Sequence, residues 1–253
     1  SAPISLTLTS YCECPPGSGL GASSTLTVAM VQAFTELLKL PLGDYDVAQM
    51  AYQIERQDLK LAGGKQDQYA ATFGGFNFME FYANNRVIVN PLRIKSSVIA
   101  ELEASLVLYY TGVSRDSANI IGEQSGNITS GNSVSVQAMH KVKDEAISMK
   151  EALLVGDIQR LGRVMKRGWE AKKQTAKKVS NPEIDRIYAM ALEMGAYAGK
   201  VSGAGGGGFM ILVANPLARP QLLAQLEKEK GKVFTARFTK EGARSWKTVK
   251  GPS

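Results

Sequence analysis

Apolar positions along this chain switch between a period of two and a helical period, and the switches outline its elements. Ile4, Leu6 and Leu8 alternate with Ser5, Thr7 and Thr9, which predicts a strand with one dry face. Residues 23–38 read as a helix, closed by Lys39-Leu40-Pro41 because proline disfavours helix before it. Asp44 is placed to cap the next helix, with Val47, Ala48, Ala51 and Ile54 along one side and Glu55 in its later turns. The Gly63-Gly64 pair ends it. Residues 73–82 and 86–92, aromatic and β-branched, flank Ala83-Asn84-Asn85 and predict a hairpin. A short helix at 97–103 leads to a strand at 105–110 and the loop 111–116. Helices are predicted at 134–154, 158–173 and from Asn181-Pro182-Glu183 to about Gly195. Strand 209–214, helix 220–230, strand 232–238 and an edge strand at 246–249 complete the reading.

This is an α+β order without an internal repeat, and composition shifts near residues 94–104. We therefore expect an N-terminal domain over 1–98 and a C-terminal domain over 99–253. No apolar run approaches the roughly 20 residues of a membrane span, so no membrane partner is expected. The net charge is +7, and residues 141–178 hold eleven Lys or Arg against five Asp or Glu. That stretch reads as helices with charged outer faces, and it lacks the interleaved aromatics of an RNA-binding motif. Cys12 and Cys14, the only cysteines, read as buried thiols on one face of the first strand, compatible with a reducing cytoplasm. His140 is mid-helix and receives no catalytic role.

Candidate chemistry begins at Pro15-Pro16-Gly17-Ser18-Gly19-Leu20-Gly21-Ala22-Ser23-Ser24-Thr25, a glycine-rich loop running into an apolar helix. Glycines allow close backbone approach, and the helix opens with unpaired N–H groups and the positive end of its dipole. Such a site suits phosphate. Ser23 and Ser24 read equally as helix caps, and Glu55 as a surface partner of Arg56 or Lys60. A second glycine run, Lys200-Val201-Ser202-Gly203-Ala204-Gly205-Gly206-Gly207-Gly208, precedes the strand at 209–214. So many adjacent glycines are costly in chain entropy and point to close backbone packing. Arg115 has the fork geometry to hold a phosphate, or is an ordinary surface arginine.

Together with Glu55-Arg56-Gln57-Asp58 and Gly63-Gly64-Lys65-Gln66-Asp67-Gln68, these runs resemble the kinase superfamily of galactokinase, homoserine kinase, mevalonate kinase and phosphomevalonate kinase (GHMP). Its second motif reads Pro-x-x-x-Gly-Leu-Gly-Ser-Ser, and its third is a Gly-Ala-Gly-Gly-Gly-Gly run. The resemblance implies a ribosomal protein S5 domain 2-like N-terminal domain followed by a ferredoxin-like C-terminal domain. It also implies transfer of phosphate from ATP with Mg²⁺ as cofactor.

By that resemblance Pro16, Gly17, Ser18, Gly19, Leu20, Gly21, Ala22, Ser23 and Ser24 surround the triphosphate, and Ser23 and Glu55 hold the metal. Ala22 departs from the family's first serine, so Ser24 could share the metal with Ser23. Asp67 orients the acceptor hydroxyl and takes its proton, with a turn aspartate after two glycines as its other reading, and Lys65 either steadies Asp67 or the moving phosphate or is a solvated lysine. Gly203, Ala204, Gly205 and Gly206 shape the acceptor pocket, with Arg115 on a phosphate already carried by the sugar.

Within the superfamily, these blocks with Phe73-Gly74-Gly75-Phe76 most resemble the branch acting on the anomeric hydroxyl of a heptose 7-phosphate. Fucokinase, which has a similar Gly-Gly-x-Gln-Asp-Gln block, and galactokinase-like enzymes are the alternatives. Family members also carry a strand and a sugar-contacting motif for which no equivalent is found upstream of Pro15, so little activity is expected from residues 1–253 alone. An RNA-binding module with an S5-like fold is the reading from another class. Sugar phosphate and ATP are the expected partners, without nucleic acid, and a homodimer is one option for the assembly.

Overall fold

The computed structural model describes residues 5–15, 17–113 and 117–248. Its first half holds three helices, α1 (Ala22–Leu38), α2 (Asp44–Gln53) and α3 (Gln66–Phe73), and a hairpin of β1 (Asn77–Phe81) and β2 (Val87–Pro91). Val28, Val31, Val47 and Ala51 close the seam between α1 and α2. Ala48, Tyr69 and Val89 join α2 and α3 to the hairpin. The hairpin turns at Asn85, which takes the left-handed conformation (φ 62°) that asparagine tolerates better than most residues.

Helix α4 (Ser96–Ser105) leads into the second half, where β3 (Leu106–Tyr110) is followed by α5 (Ser117–Thr129), α6 (Ser133–Val155), α7 (Ile158–Lys173) and α8 (Pro182–Glu193). Then come β4 (Ala196–Val201), β5 (Phe209–Ala214), α9 (Arg219–Leu226) and β6 (Lys232–Phe234). The four strands form one antiparallel sheet in the order β4-β5-β3-β6. That order, with helices between the first and second strands and between the third and fourth, is the ferredoxin-like pattern. Both faces of the sheet are covered. Val107, Tyr109, Met210 and Leu212 pack on Trp169, Ile184, Ile187, Leu222 and Leu226. Leu106, Ala198 and Val213 pack on Leu102, Leu153, Leu161 and Met165 from the other side. Strand β5 is therefore apolar at nearly every position, because it has no wet face.

The last described residues return to the first half. Ala243 N–H donates to the Ala71 carbonyl at 2.9 Å, Gly75 N–H to Thr239 at 3.1 Å, and Gln32 Nε2 to Ser245 Oγ at 3.2 Å. Gly242 is needed there, since a Cβ on it would lie 1.9 Å from the Thr72 carbonyl oxygen.

Several expectations need correction. Residues 5–10 are exposed and form no strand, with Leu6 and Leu8 about half exposed; an alternating pattern becomes a strand only beside a partner, and no described strand pairs with it. Cys12 is consequently exposed and Cys14 only partly covered. The cap of α2 is Gly43, whose N–H donates to the Asp46 carboxylate at 3.0 Å, rather than Asp44. Residues 246–248 are irregular, spent on the return to α1 rather than on a sheet edge. Strand β6 is shorter than predicted, and α3, α5 and β4 were not anticipated.

Candidate active site

The glycine loop enters α1 through Gly21, which is left-handed (φ 74°), and no side chain caps the helix. The amides of its first turn therefore have no intrahelical partner and face outward with the positive end of the dipole. Neither serine acts as a cap. Exposed Ser23 donates its hydroxyl to Glu55 Oε1 at 2.9 Å. Ser24 is turned inward and accepts from Gln68 Nε2 at 3.1 Å. The second amide hydrogen of Gln68 goes to Glu55 Oε2 at 2.5 Å.

Glu55 lies in a single π-helical turn, Ile54–Asp58, that follows α2. The Leu59 N–H reaches back five residues to the Ile54 carbonyl at 2.9 Å, and this wider turn is a feature that recurs at functional sites. Glu55 is buried to 1% exposure. Its alternative reading, a surface pair with Arg56 or Lys60, is thereby corrected: a pair with either would need an exposed carboxylate.

Asp67 sits in the first turn of α3 against Gly21. A Cβ on Gly21 would be 3.1 Å from the Asp67 Cγ. Burial pushes the Asp67 carboxyl above its ordinary value, the Arg56 guanidinium pulls it back, and Glu55 pushes it up further. Arg56 Nε donates to the Gly64 carbonyl at 3.2 Å, and its guanidinium fills the space where Gly63 would carry a side chain.

Lys65 is directed elsewhere. Its Nζ donates to Asn85 Oδ1 at 2.9 Å and lies over the Tyr52 ring, 4.6 Å from the centroid. The cation that acts on Asp67 is Arg56, so the expectation for Lys65 is corrected: at the start of α3 its side chain points to the hairpin.

The second glycine run meets the first. Ser202 donates to the Gly19 carbonyl, and Phe209 N–H donates to Ser18 at 2.9 Å. Gly205 packs on Val179, and Gly206 N–H donates to the Val179 carbonyl at 2.7 Å. Lys172 Nζ binds the Gly203 carbonyl, so α7 also holds this loop. Ala204 packs at the edge of the core beside it. Burial holds the Lys200 ammonium below its ordinary value. Pro16 and Arg115 lie outside the described residues.

The Mg²⁺ that the resemblance implies fits the groups present. Ser23 Oγ and the Glu55 carboxylate are hard oxygen donors, of which Mg²⁺ needs only one or two from protein. No salt bridge among the described residues includes Glu55 or Asp67. Gln68 Oε1 is buried without a partner, so the cluster is short of positive charge and of one donor.

The sequence marks Gln68 only as part of the block shared with the kinases and Arg56 only as a surface partner of Glu55, and gives neither a role in the site. A glutamine three residues into a helix looks like a surface residue, and only the burial of Glu55 beneath α1 reveals the amide between them. The basic stretch 141–178 pairs several of its charges. Arg167 meets Glu145 at 2.6 Å, Arg160 meets Glu151 at 2.7 Å, and Lys173 meets Glu170 at 3.0 Å.

Comparison with known proteins identifies the family. The profile of the GHMP kinases N terminal domain matches residues 3–75, and that of the GHMP kinases C terminal matches residues 149–233. A D-glycero-alpha-D-manno-heptose 7-phosphate kinase of Campylobacter jejuni is 51% identical over 245 residues, 97% of this chain and 72% of that protein. The crystal structure of a D-glycero-D-manno-heptose 1-phosphate kinase from Bacteroides thetaiotaomicron superposes with a TM-score of 0.76 at 43% identity, covering 94% of this chain and 67% of that one. An L-fucokinase/L-fucose-1-P guanylyltransferase of Bacteroides fragilis is 28% identical over 216 residues, 85% of this chain and 22% of that protein.

Proposed function

The chain belongs to the GHMP kinase family, and on that premise we propose that it phosphorylates the anomeric hydroxyl of D-glycero-D-manno-heptose 7-phosphate from ATP, giving the 1,7-bisphosphate. The observation that carries the chemistry is the Ser23–Glu55–Gln68–Ser24 network beneath an uncapped helix N-terminus, with the Asp67 carboxylate beside it.

Phosphoryl transfer is mostly positioning and charge neutralisation. The amides of the glycine loop and the first turn of α1 bind the triphosphate oxygens. Ser23 and Glu55 hold Mg²⁺, which neutralises phosphate charge when bound. Asp67 accepts a hydrogen bond from the anomeric hydroxyl, aligns it for in-line attack and takes its proton as the new P–O bond forms and the bond from the γ-phosphorus to the bridging oxygen breaks, with ADP as the leaving group. A carboxyl raised above its ordinary value is a better base than a free aspartate. Arg56 opposes that rise and so favours the ionised form. Gly203–Gly206 close the acceptor side, and Arg115 is assigned to the distal phosphate.

This reading takes residues 1–98 as the nucleotide-binding part and 99–253 as the C-terminal part. It requires small-molecule partners alone and places the reaction in the cytoplasm, with a homodimer as the assembly to test by sizing.

One substrate panel tests the proposal: Mg·ATP with heptose 7-phosphate, heptose 1-phosphate, fucose, galactose and mevalonate, with product identified by phosphorus NMR. Heptose 7-phosphate is expected to give the highest kcat/KM and a new anomeric phosphate signal. Preference for an unphosphorylated sugar would overturn the heptose assignment, and phosphorylation of heptose 1-phosphate alone would overturn the site of transfer.

A further inference from the structure

Gln68 is the most enclosed polar side chain of the site, with no exposed surface. Its amide nitrogen has two hydrogens, and both are used, on Glu55 Oε2 at 2.5 Å and Ser24 Oγ at 3.1 Å. Turning the amide over would set a carbonyl oxygen against a carboxylate, so its orientation follows from charge. Each Glu55 oxygen therefore has one donor, Ser23 on Oε1 and Gln68 on Oε2. The last torsion of a glutamate is otherwise broad and soft, and two donors at its two ends fix the plane of the carboxylate.

Neighbouring residues on a helix point about 100° apart. In the first turn of α3 this sends Asp67 toward Gly21 and Gln68 beneath α1, so one short helix serves both halves of the site. Gln68 Oε1 is left buried and unpaired, which is costly unless a further donor meets it.

We propose that Gln68 is a positioning residue for the cation: its amide locks the Glu55 carboxylate and the Ser24 hydroxyl into one unit, so that Glu55 presents an oxygen beside Ser23. The proposal rests on reading Ser23 and Glu55 as the cation-binding groups. Gln68 acts through Glu55 and touches neither the nucleotide nor the sugar. Residues behind a metal ligand commonly change metal affinity by about 10–100-fold when they are removed.

The test is Gln68→Met, close in size but without the amide, in the full chain. ATP affinity is measured by calorimetry across a Mg²⁺ series, alongside melting temperature and the KM for sugar. The Mg²⁺ concentration giving half of the affinity gain is expected to rise at least about tenfold, with the sugar KM unchanged. A lower melting temperature without that shift would mark a purely structural residue and overturn the proposal. Glu55→Gln separates the two levels. If it leaves the Mg²⁺ response intact, the cation reading itself fails; if it abolishes the response while Gln68→Met does not, only the role of Gln68 falls. Should Gln68→Met fail to fold, the side-chain amide NMR signal of Gln68 in the unmodified protein decides. It is expected to shift when Mg²⁺ joins bound ATP, and an unmoved signal overturns the proposal.

Discussion

Ser202 donates its hydroxyl to the Gly19 carbonyl at 2.9 Å, tying together two glycine runs 183 positions apart. Beside this bond Gly208 is left-handed (φ 78°), and a Cβ there would sit 2.3 Å from the Ser18 carbonyl oxygen. The late run is thus a mould for the early one: its missing side chains let strand β5 begin directly against the early glycine loop.

Gly208→Ala is accordingly expected to destabilise the protein by about 2–3 kcal/mol, the upper part of the range for single substitutions. Ser202→Ala, which loses one hydrogen bond, is expected to cost about 1 kcal/mol. Denaturant unfolding measures both, and ATP affinity should fall more for Gly208→Ala. Equal, negligible effects would show that the contact between the runs carries no energy.

Asp67→Asn should lower kcat by about 10²-fold or more while ATP affinity stays within a few fold. Its effect on stability should have the opposite sign. With a folded-state value raised above the unfolded one, Asp67 binds its proton more tightly when folded. Its contribution is present at low pH and is lost as pH rises through the raised value. Above the unfolded value this upward shift therefore costs stability, and the asparagine variant should melt at a higher temperature at pH 7. A variant both inactive and less stable would contradict this.

Arg56→Met removes the cation that opposes the upward shift of Asp67. The acidic limb of the pH–rate profile, where Asp67 becomes protonated, should move to higher pH. Lys65→Met, whose partner is Asn85, should leave that limb in place. The reverse pattern would restore Lys65 as the partner of Asp67.

Lys200 has the opposite shift, held down by burial alone. A lysine whose folded value lies below the unfolded one makes stability rise with pH across the interval between them. Lys200→Met should raise the melting temperature at pH 7 and flatten that rise, as read in thermal unfolding from pH 7 to 10. An unchanged pH slope would mean that the ammonium is solvated.

How much of this was legible in the chain can be judged from particular residues. Helix α7 was predicted at its observed bounds, as was strand β5, because an amphipathic run and an uninterrupted apolar run are strong local signals. The strand expected around Leu6 failed on non-local grounds, since a period of two states a capacity to pair and not the presence of a partner. Strand β4 was hidden for a related reason. Ala196–Val201 contains three small residues and a lysine, and it is a strand because β5 hydrogen-bonds to it.

The site divides in the same way. Adjacent residues were enough to mark the glycine loop, the helix it opens and the second glycine run, since composition and spacing carry backbone chemistry locally, whereas Glu55 and Asp67 stood out only through the resemblance to the GHMP kinases. Which cation faces Asp67, which serine turns inward, and which amide stands behind Glu55 were settled by the closed fold alone. Lys65 and Arg56 are equally cationic in a list of residues, and Ser23 and Ser24 are neighbours with the same hydroxyl. Their roles diverge because side-chain direction depends on the turn that bears each residue, and partners such as Glu55 and Gln68 meet only after α1, α2 and α3 have packed.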